Sequence, residues 1–173
     1  MLIRREATGD AATVYAVTAA AFARPADSGP PAEAPLVDAL RATDAWLPAL
    51  SLVALDPGGD VIGHVVCTRG TVGSKIPVLA LGPLSVRPDR QRRGVGSALM
   101  HAVLGAADAL GEPLVALLGS TAYYRRFGFR LGREFGIAPS EPRWVPDFQV
   151  RPLTAYRPAI RGPFAYPQPF DNV

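Results

Sequence analysis

Three things are scarce in this chain: cysteine, lysine and long apolar runs. One cysteine, Cys67, in 173 residues excludes an internal disulfide. It falls in the apolar, strand-like run Val61–Thr68, where a small buried hydrophobe is expected rather than a reactive thiol. No stretch of 18 or more apolar residues occurs, which excludes a membrane-spanning helix on length. The opening residues Met1 to Glu6 are charged too early for a signal peptide and lack its apolar centre, so a cytoplasmic location is expected. Charge is sparse too, at 19% of residues with a formal net of +3. That excess is thin for a nucleic-acid surface, and no RNA- or DNA-binding motif accompanies it, so neither nucleic acid nor membrane is expected as a partner.

What remains is an apolar chain, 49% of its residues, with apolar runs recurring from residue 2 to about 137. Disorder is therefore not expected, and the length suits one well-buried core, so residues 1–173 read as one domain. Lys75 is the only lysine, so nearly all the positive charge is arginine, the better bidentate partner for phosphate.

Periodicity predicts a strand at residues 2–6, then a helix carrying Val14, Val17, Ala21 and Phe22 on one stripe, capped by Thr8-Gly9-Asp10. Four prolines in residues 24–35 predict an irregular loop. A second helix follows from Glu33 to Arg41. Ser51–Asp56 and Val61–Thr71 read as strands joined by the hairpin signal Pro57-Gly58-Gly59-Asp60. In the strand Val78–Val86, Gly82-Pro83 predicts a bulge or a parting of strands, because proline donates no ladder bond. Gly94–Leu110 reads as a helix stopped by Gly111, Leu114–Leu118 as a buried strand, Ala122–Phe127 as a short helix and Phe129–Phe135 as a strand. Phe148–Leu153 reads as a last strand within an irregular extension over residues 139–173. The order β-α-α-β-β-β-α-β-α-β is that of a mixed α/β or α+β domain with a partly antiparallel sheet.

The chemistry concentrates in Leu84-Ser85-Val86-Arg87-Pro88-Asp89-Arg90-Gln91-Arg92-Arg93-Gly94-Val95-Gly96-Ser97. It is a strand, an arginine-rich loop, two glycines and a helix start, where unpaired N–H groups and the helix dipole favour phosphate. The spacing is not that of a P-loop, and the third glycine of a dinucleotide fingerprint is missing.

Gln91-Arg92-Arg93-Gly94-Val95-Gly96 resembles the Gln/Arg-x-x-Gly-x-Gly/Ala signature of the GNAT acetyltransferases. Ala122-Tyr123-Tyr124-Arg125-Arg126-Phe127-Gly128-Phe129 resembles that family's aromatic-Tyr-x-x-x-Gly-Phe segment. The two matches stand in the family's order, with the expected helix and strand between them. Leu81-Gly82-Pro83-Leu84-Ser85-Val86, Gly63-His64-Val65 and Tyr166-Pro167-Gln168-Pro169-Phe170 look most like the YhbS-like branch. The chain departs from that branch at Ser120, where members often carry an acid, and at Arg125, where they often carry glycine.

The resemblance implies a GNAT fold: a mixed sheet of about six to seven strands, splayed between the fourth and fifth, flanked by about four helices. It implies acetyl-CoA as cosubstrate, no metal, and transfer of an acetyl group to a primary amine of a small molecule or protein. Backbone of Leu84, Ser85 and Val86 would hold the pantetheine arm, and the turn Gln91, Arg92, Arg93, Gly94, Val95, Gly96 and Ser97 the pyrophosphate. One flanking arginine would meet the 3′-phosphate. Tyr124 matches the family's usual general acid, with Tyr123 as core or substrate wall. No carboxylate occurs in residues 79–86, so the base stays open among Glu33, Asp38 and His64, of which Glu33 and His64 are the substrate-site expectations. Residues 22–48 and 136–170, with Trp46 and Trp144, would form a partly apolar acceptor wall. Dimers are common in the family. A CoA-binding sensor without catalysis is the alternative, motivated by the missing base and the proline-rich tail.

Overall fold

The computed structural model describes residues 1–24, 29, 31–73 and 75–172. Residues 25–28 and 30 of the proline-rich loop expected over 24–35 lie outside those residues. The expected element order is present: β1 (Leu2–Arg5), α1 (Ala11–Phe22), α2 (Glu33–Arg41), β2 (Trp46–Leu55), β3 (Val61–Val72), β4 (Ile76–Val86), α3 (Val95–Ala109), β5 (Leu114–Leu118) and α4 (Thr121–Tyr124), which runs on as a 3-10 turn, Arg125–Phe127.

Beyond α4 the chain departs from expectation. The strand predicted at Phe129–Phe135 shrinks to β6 (Arg130–Leu131), and Gly132–Phe135 is a 3-10 turn. Glu134 drives the change, because its carboxylate takes the Leu131 N–H at 3.2 Å and the Arg130 guanidinium, folding the chain back locally. Two short strands that the sequence hid follow, β7 (Ile137–Pro139) and, after β8 (Phe148–Pro152), β9 (Gly162–Ala165). The mixed sheet therefore has nine strands, ordered β1-β2-β3-β4-β5-β8-β6, with β9 pairing the far end of β3 and β7 pairing β9. The irregular extension expected over 139–173 thus supplies two strands of the sheet.

Alternation along β2 and β3 builds two cores. Leu52, Ala54 and Ile62 pack with Leu99 and Val103 of α3 on one face, while Val53, Leu55 and Val61 pack with Val14, Val17 and Val37 of α1 and α2 on the other. Cys67 is fully buried on the α3 face, its thiol pushed up by desolvation, as a small hydrophobe should be.

The α1 face also carries a buried polar row. Thr18 and Ser85 share a hydrogen bond of 3.0 Å, and His64, the β3 partner of Ser85, lies fully buried beside them. Ser51 donates its hydroxyl hydrogen to Glu6, so its oxygen is left to accept from His64 Nε2 at 2.9 Å. That places the histidine hydrogen on Nε2 and leaves Nδ1 bare, buried and without a partner. Burial would raise the Glu6 carboxyl, but its bonds to His64 and Ser51 and the Arg41 charge outweigh that and hold it below its usual range. Desolvation pushes His64 down, against the pull of Glu6, so the ring stays neutral.

Both shifts act in one direction. The unfolded chain binds protons that the folded chain refuses, so stability falls as pH drops. Urea midpoints should decline below the ordinary histidine value near 6.5 and fall again below the ordinary glutamate value near 4.5. His64→Gln should abolish the first decline and keep the second.

Candidate active site

The parting expected at Gly82-Pro83 is present. On its β3 side, β4 shifts register between Val65↔Leu84 and Cys67↔Leu81, so that Gly82 and Pro83 together oppose Val66. On its β5 side, the parallel pairing covers only Leu79↔Val115 and Ala80↔Ala116. From Leu81 onward β4 keeps β3 and has no partner toward β5. Backbone groups of a strand without a neighbour are open to a ligand that can pair like one.

The gap opens into a cavity of about 970 Å³. At one end stands the start of α3. The Gln91 amide donates to the Val86 carbonyl at 3.1 Å and ties the loop to the end of β4. Arg92 and Gly94 turn the chain through positive φ, 57° and 84°, and no side chain caps α3. The first helical bond comes from Ala98 N–H to the Gly94 carbonyl, so the N–H groups of Val95, Gly96 and Ser97 are left for a ligand or solvent. A Cβ on Gly96 would stand 2.9 Å from the Tyr123 hydroxyl, so only glycine lets that phenol close over the helix end.

The arginines divide sharply. Arg87 is held by Asp89 at 2.7 Å, and Arg90 by Asp56 at 3.2 Å and Asp89 at 3.4 Å. Arg92 lines the cavity without a carboxylate partner, whereas Arg93 is exposed and does not line it. A further cation stands here that the sequence reading passed over. Arg126 lines the cavity, lies 4.7 Å over the Tyr123 ring and donates Nε–H to the Tyr123 carbonyl, so Tyr123 positions it. The signal was the i, i+3 spacing of Tyr123 and Arg126 on one helical turn.

Tyr124 also lines the cavity, with its ring at 4.9 Å from Tyr123 and 5.8 Å from Phe129, both edge to face. Desolvation, with a smaller effect of Tyr123, pushes its phenol up to about 12. It holds its proton at any working pH.

The other expected residues divide between the cavity and elsewhere. Leu84, Val86, Gly94, Gly96 and Ser97 line the cavity. Ser85 turns its side chain to Thr18 and Val95 packs into the α3 core, so each can offer backbone alone. His64 does not line the cavity and is spent in the Glu6–Ser51 network, which corrects its placement at a substrate site. Asp38 is exposed and paired with Arg41 at 2.5 Å. Of the three carboxylate and histidine expectations, Glu33 alone lines the cavity.

The sheet is thus parted at its middle beside an uncapped, glycine-opened helix start. Residues 3–132 match the model of the Acetyltransferase (GNAT) domain, and the chain belongs to the GNAT acetyltransferase family. It is 34% identical, over 88% of its length and 87% of the relative's, to the uncharacterized N-acetyltransferase YhbS of Escherichia coli strain K12. The crystal structure of YhbS from Escherichia coli in complex with CoA matches it with a TM-score of 0.87 at 31% identity, covering 98% of this chain and 91% of that one. A GNAT family acetyltransferase from Brucella melitensis in complex with acetyl-CoA matches with a TM-score of 0.79 at 36% identity, covering 98% and 97%.

The Tyr124 ring is held partly by the space above Gly119, where an added Cβ would come within 2.7 Å of the ring. Gly119→Ala should therefore displace the ring, visible in the Tyr124 proton shifts, and cost about 1–3 kcal/mol in urea unfolding. Gly105→Ala, in open space within α3, should instead stabilise by about 0.5–1 kcal/mol.

Proposed function

We propose that this protein is an acetyl-CoA-dependent N-acetyltransferase acting on a primary amine by direct attack. The observation that carries the reading is one cleft holding both the parted stretch of β4 and the open start of α3, with the Tyr124 phenol beside them. Those features fit the cofactor. Backbone of Leu84 and Val86 would pair with the pantetheine amides, the Val95–Ser97 N–H groups would hold the diphosphate, and Arg92 and Arg126 would add charge there. The cofactor brings the acetyl group as a thioester, already activated for transfer.

The chain's own groups manage position and protons. The amine nitrogen bonds the acetyl carbon as the carbon–sulfur bond breaks. One proton leaves the nitrogen and one reaches the sulfur, so charge balances. Tyr124 Oη, protonated until then, donates its proton to the departing sulfur and regains one from solvent. Glu33, the one carboxylate among the cavity-lining residues described, accepts the proton from the nitrogen, directly or through water.

Calorimetric titration with acetyl-CoA tests the cofactor. Wild type should bind at micromolar concentration, Gly94→Glu should lose at least about 100-fold by setting an anion at the helix start, and Gly94→Ala should lose far less. No binding by the wild type overturns the proposal. With an acceptor in hand, Tyr124→Phe should lower kcat by about 100-fold or more and leave the KM for acetyl-CoA nearly unchanged. An equal fall in affinity would assign Tyr124 to binding instead.

A further inference from the structure

The two ends of the cavity differ in chemistry. Gly82 lies four residues before Val86 along β4, about 13 Å at strand spacing, so the bulge and the α3 start face different parts of whatever is bound. Arg92 and Arg126 stand at the α3 end, Arg126 being fixed there by Tyr123 over Gly96.

The bulge end is built from α1, α2 and the last turns of the chain. Phe170 sets its ring 3.7 Å from the Cβ position of Gly82, and the 3-10 turn Gln168–Asn172 packs against α2. Behind Phe170, Tyr166 lies tilted at 4.8 Å, and Trp144 meets Tyr166 nearly perpendicular at 6.2 Å. Phe22 and Leu36 extend the apolar wall from the two helices.

Glu33 has no ion pair among the described residues and stands in the first turn of α2. Among the described residues no cation lines the bulge end: Arg143 stacks on Trp144 at 5.6 Å but is not among the cavity-lining residues.

Resting on the acetyltransferase reading, we infer that the acceptor is an arylalkylamine, a primary ammonium on a short chain ending in an aromatic ring and bearing no acid group. Glu33 holds the ammonium, and the Trp144–Tyr166–Phe170 array takes the ring edge to face. An amino acid would bring its carboxylate to a wall whose one charge among the described residues is already negative. A polyamine would bring several cations to a single carboxylate. A peptide N-terminus would bury backbone amides against rings.

Calorimetry on the CoA-saturated protein tests the acceptor class without turnover, using 2-phenylethylamine, phenylalanine, butylamine and spermidine. 2-Phenylethylamine should bind at least about 10-fold tighter than the other three, since each lacks the ring or adds the wrong charge. Glu33→Gln and Phe170→Ala should each weaken 2-phenylethylamine by about 10-fold, and Glu33→Gln should narrow the gap to phenylalanine. Binding of phenylalanine or spermidine as tight as that of 2-phenylethylamine overturns the inference, as does absence of 2-phenylethylamine binding. The titration can also be run without CoA. A protein that fails to bind acetyl-CoA would sink the acetyltransferase reading and still report on this wall.

Discussion

The cavity exists because two neighbouring strands stop hydrogen-bonding while both remain anchored elsewhere. β4 is held along its length by β3, and β5 is held by β8, so neither can swing across to close the gap after Ala80. Gly82 and Pro83 set the point of departure, since the extra residue opposite Val66 turns β4 and proline offers no N–H to the ladder. The α3 start, the Tyr124 ring and the tail then find their places around that gap. Closing it by even two more ladder pairs would remove the backbone groups that a ligand arm could use.

The same sheet sorts its polar residues by face. Glu6, Ser51, His64, Ser85 and Thr18 lie on the α1 side and satisfy one another, apart from one histidine nitrogen. The immediate neighbours of His64 on β3, Gly63 and Val65, face α3, as do Leu84 and Val86 on either side of Ser85. His64 was drawn toward the substrate by its near-neutral titration, and the pleat sends it the other way. Its work is to hold β2 and β3 to the chain start beside Arg41.

Much of the architecture was legible in the sequence because the middle of the chain is locally consistent. The apolar period of α3, the hairpin at Pro57–Asp60 and the Gly82-Pro83 defect each act through neighbouring residues, and each reads from local pattern. The glycine signature placed the α3 end of the cavity for the same reason. What was hidden depends on distant chain. β7 and β9 are three and four residues long, each with a proline, and become strands only because β3 offers Thr71 and Val72 as partners. The pairing of Arg87 and Arg90 with Asp89 and Asp56, which leaves Arg92 and Arg126 without a carboxylate partner among the described residues, likewise follows from the folded course of the loop. So does the choice of Glu33 over Asp38, five residues apart on one helix.

The placement of β9 reaches further than the sheet. By pairing with the far end of β3, it carries the chain from Gly162 back across the molecule and sets down Tyr166 and Phe170 at the bulge. The parts that would hold the cofactor come from β4, α3 and α4, while much of the opposing wall comes from this returning segment. The two halves of the cavity are therefore separable in the gene. Changes confined to the last dozen residues would reshape that opposing wall and leave the β4 and α3 end as it is, which makes the tail the natural place for such a scaffold to diversify.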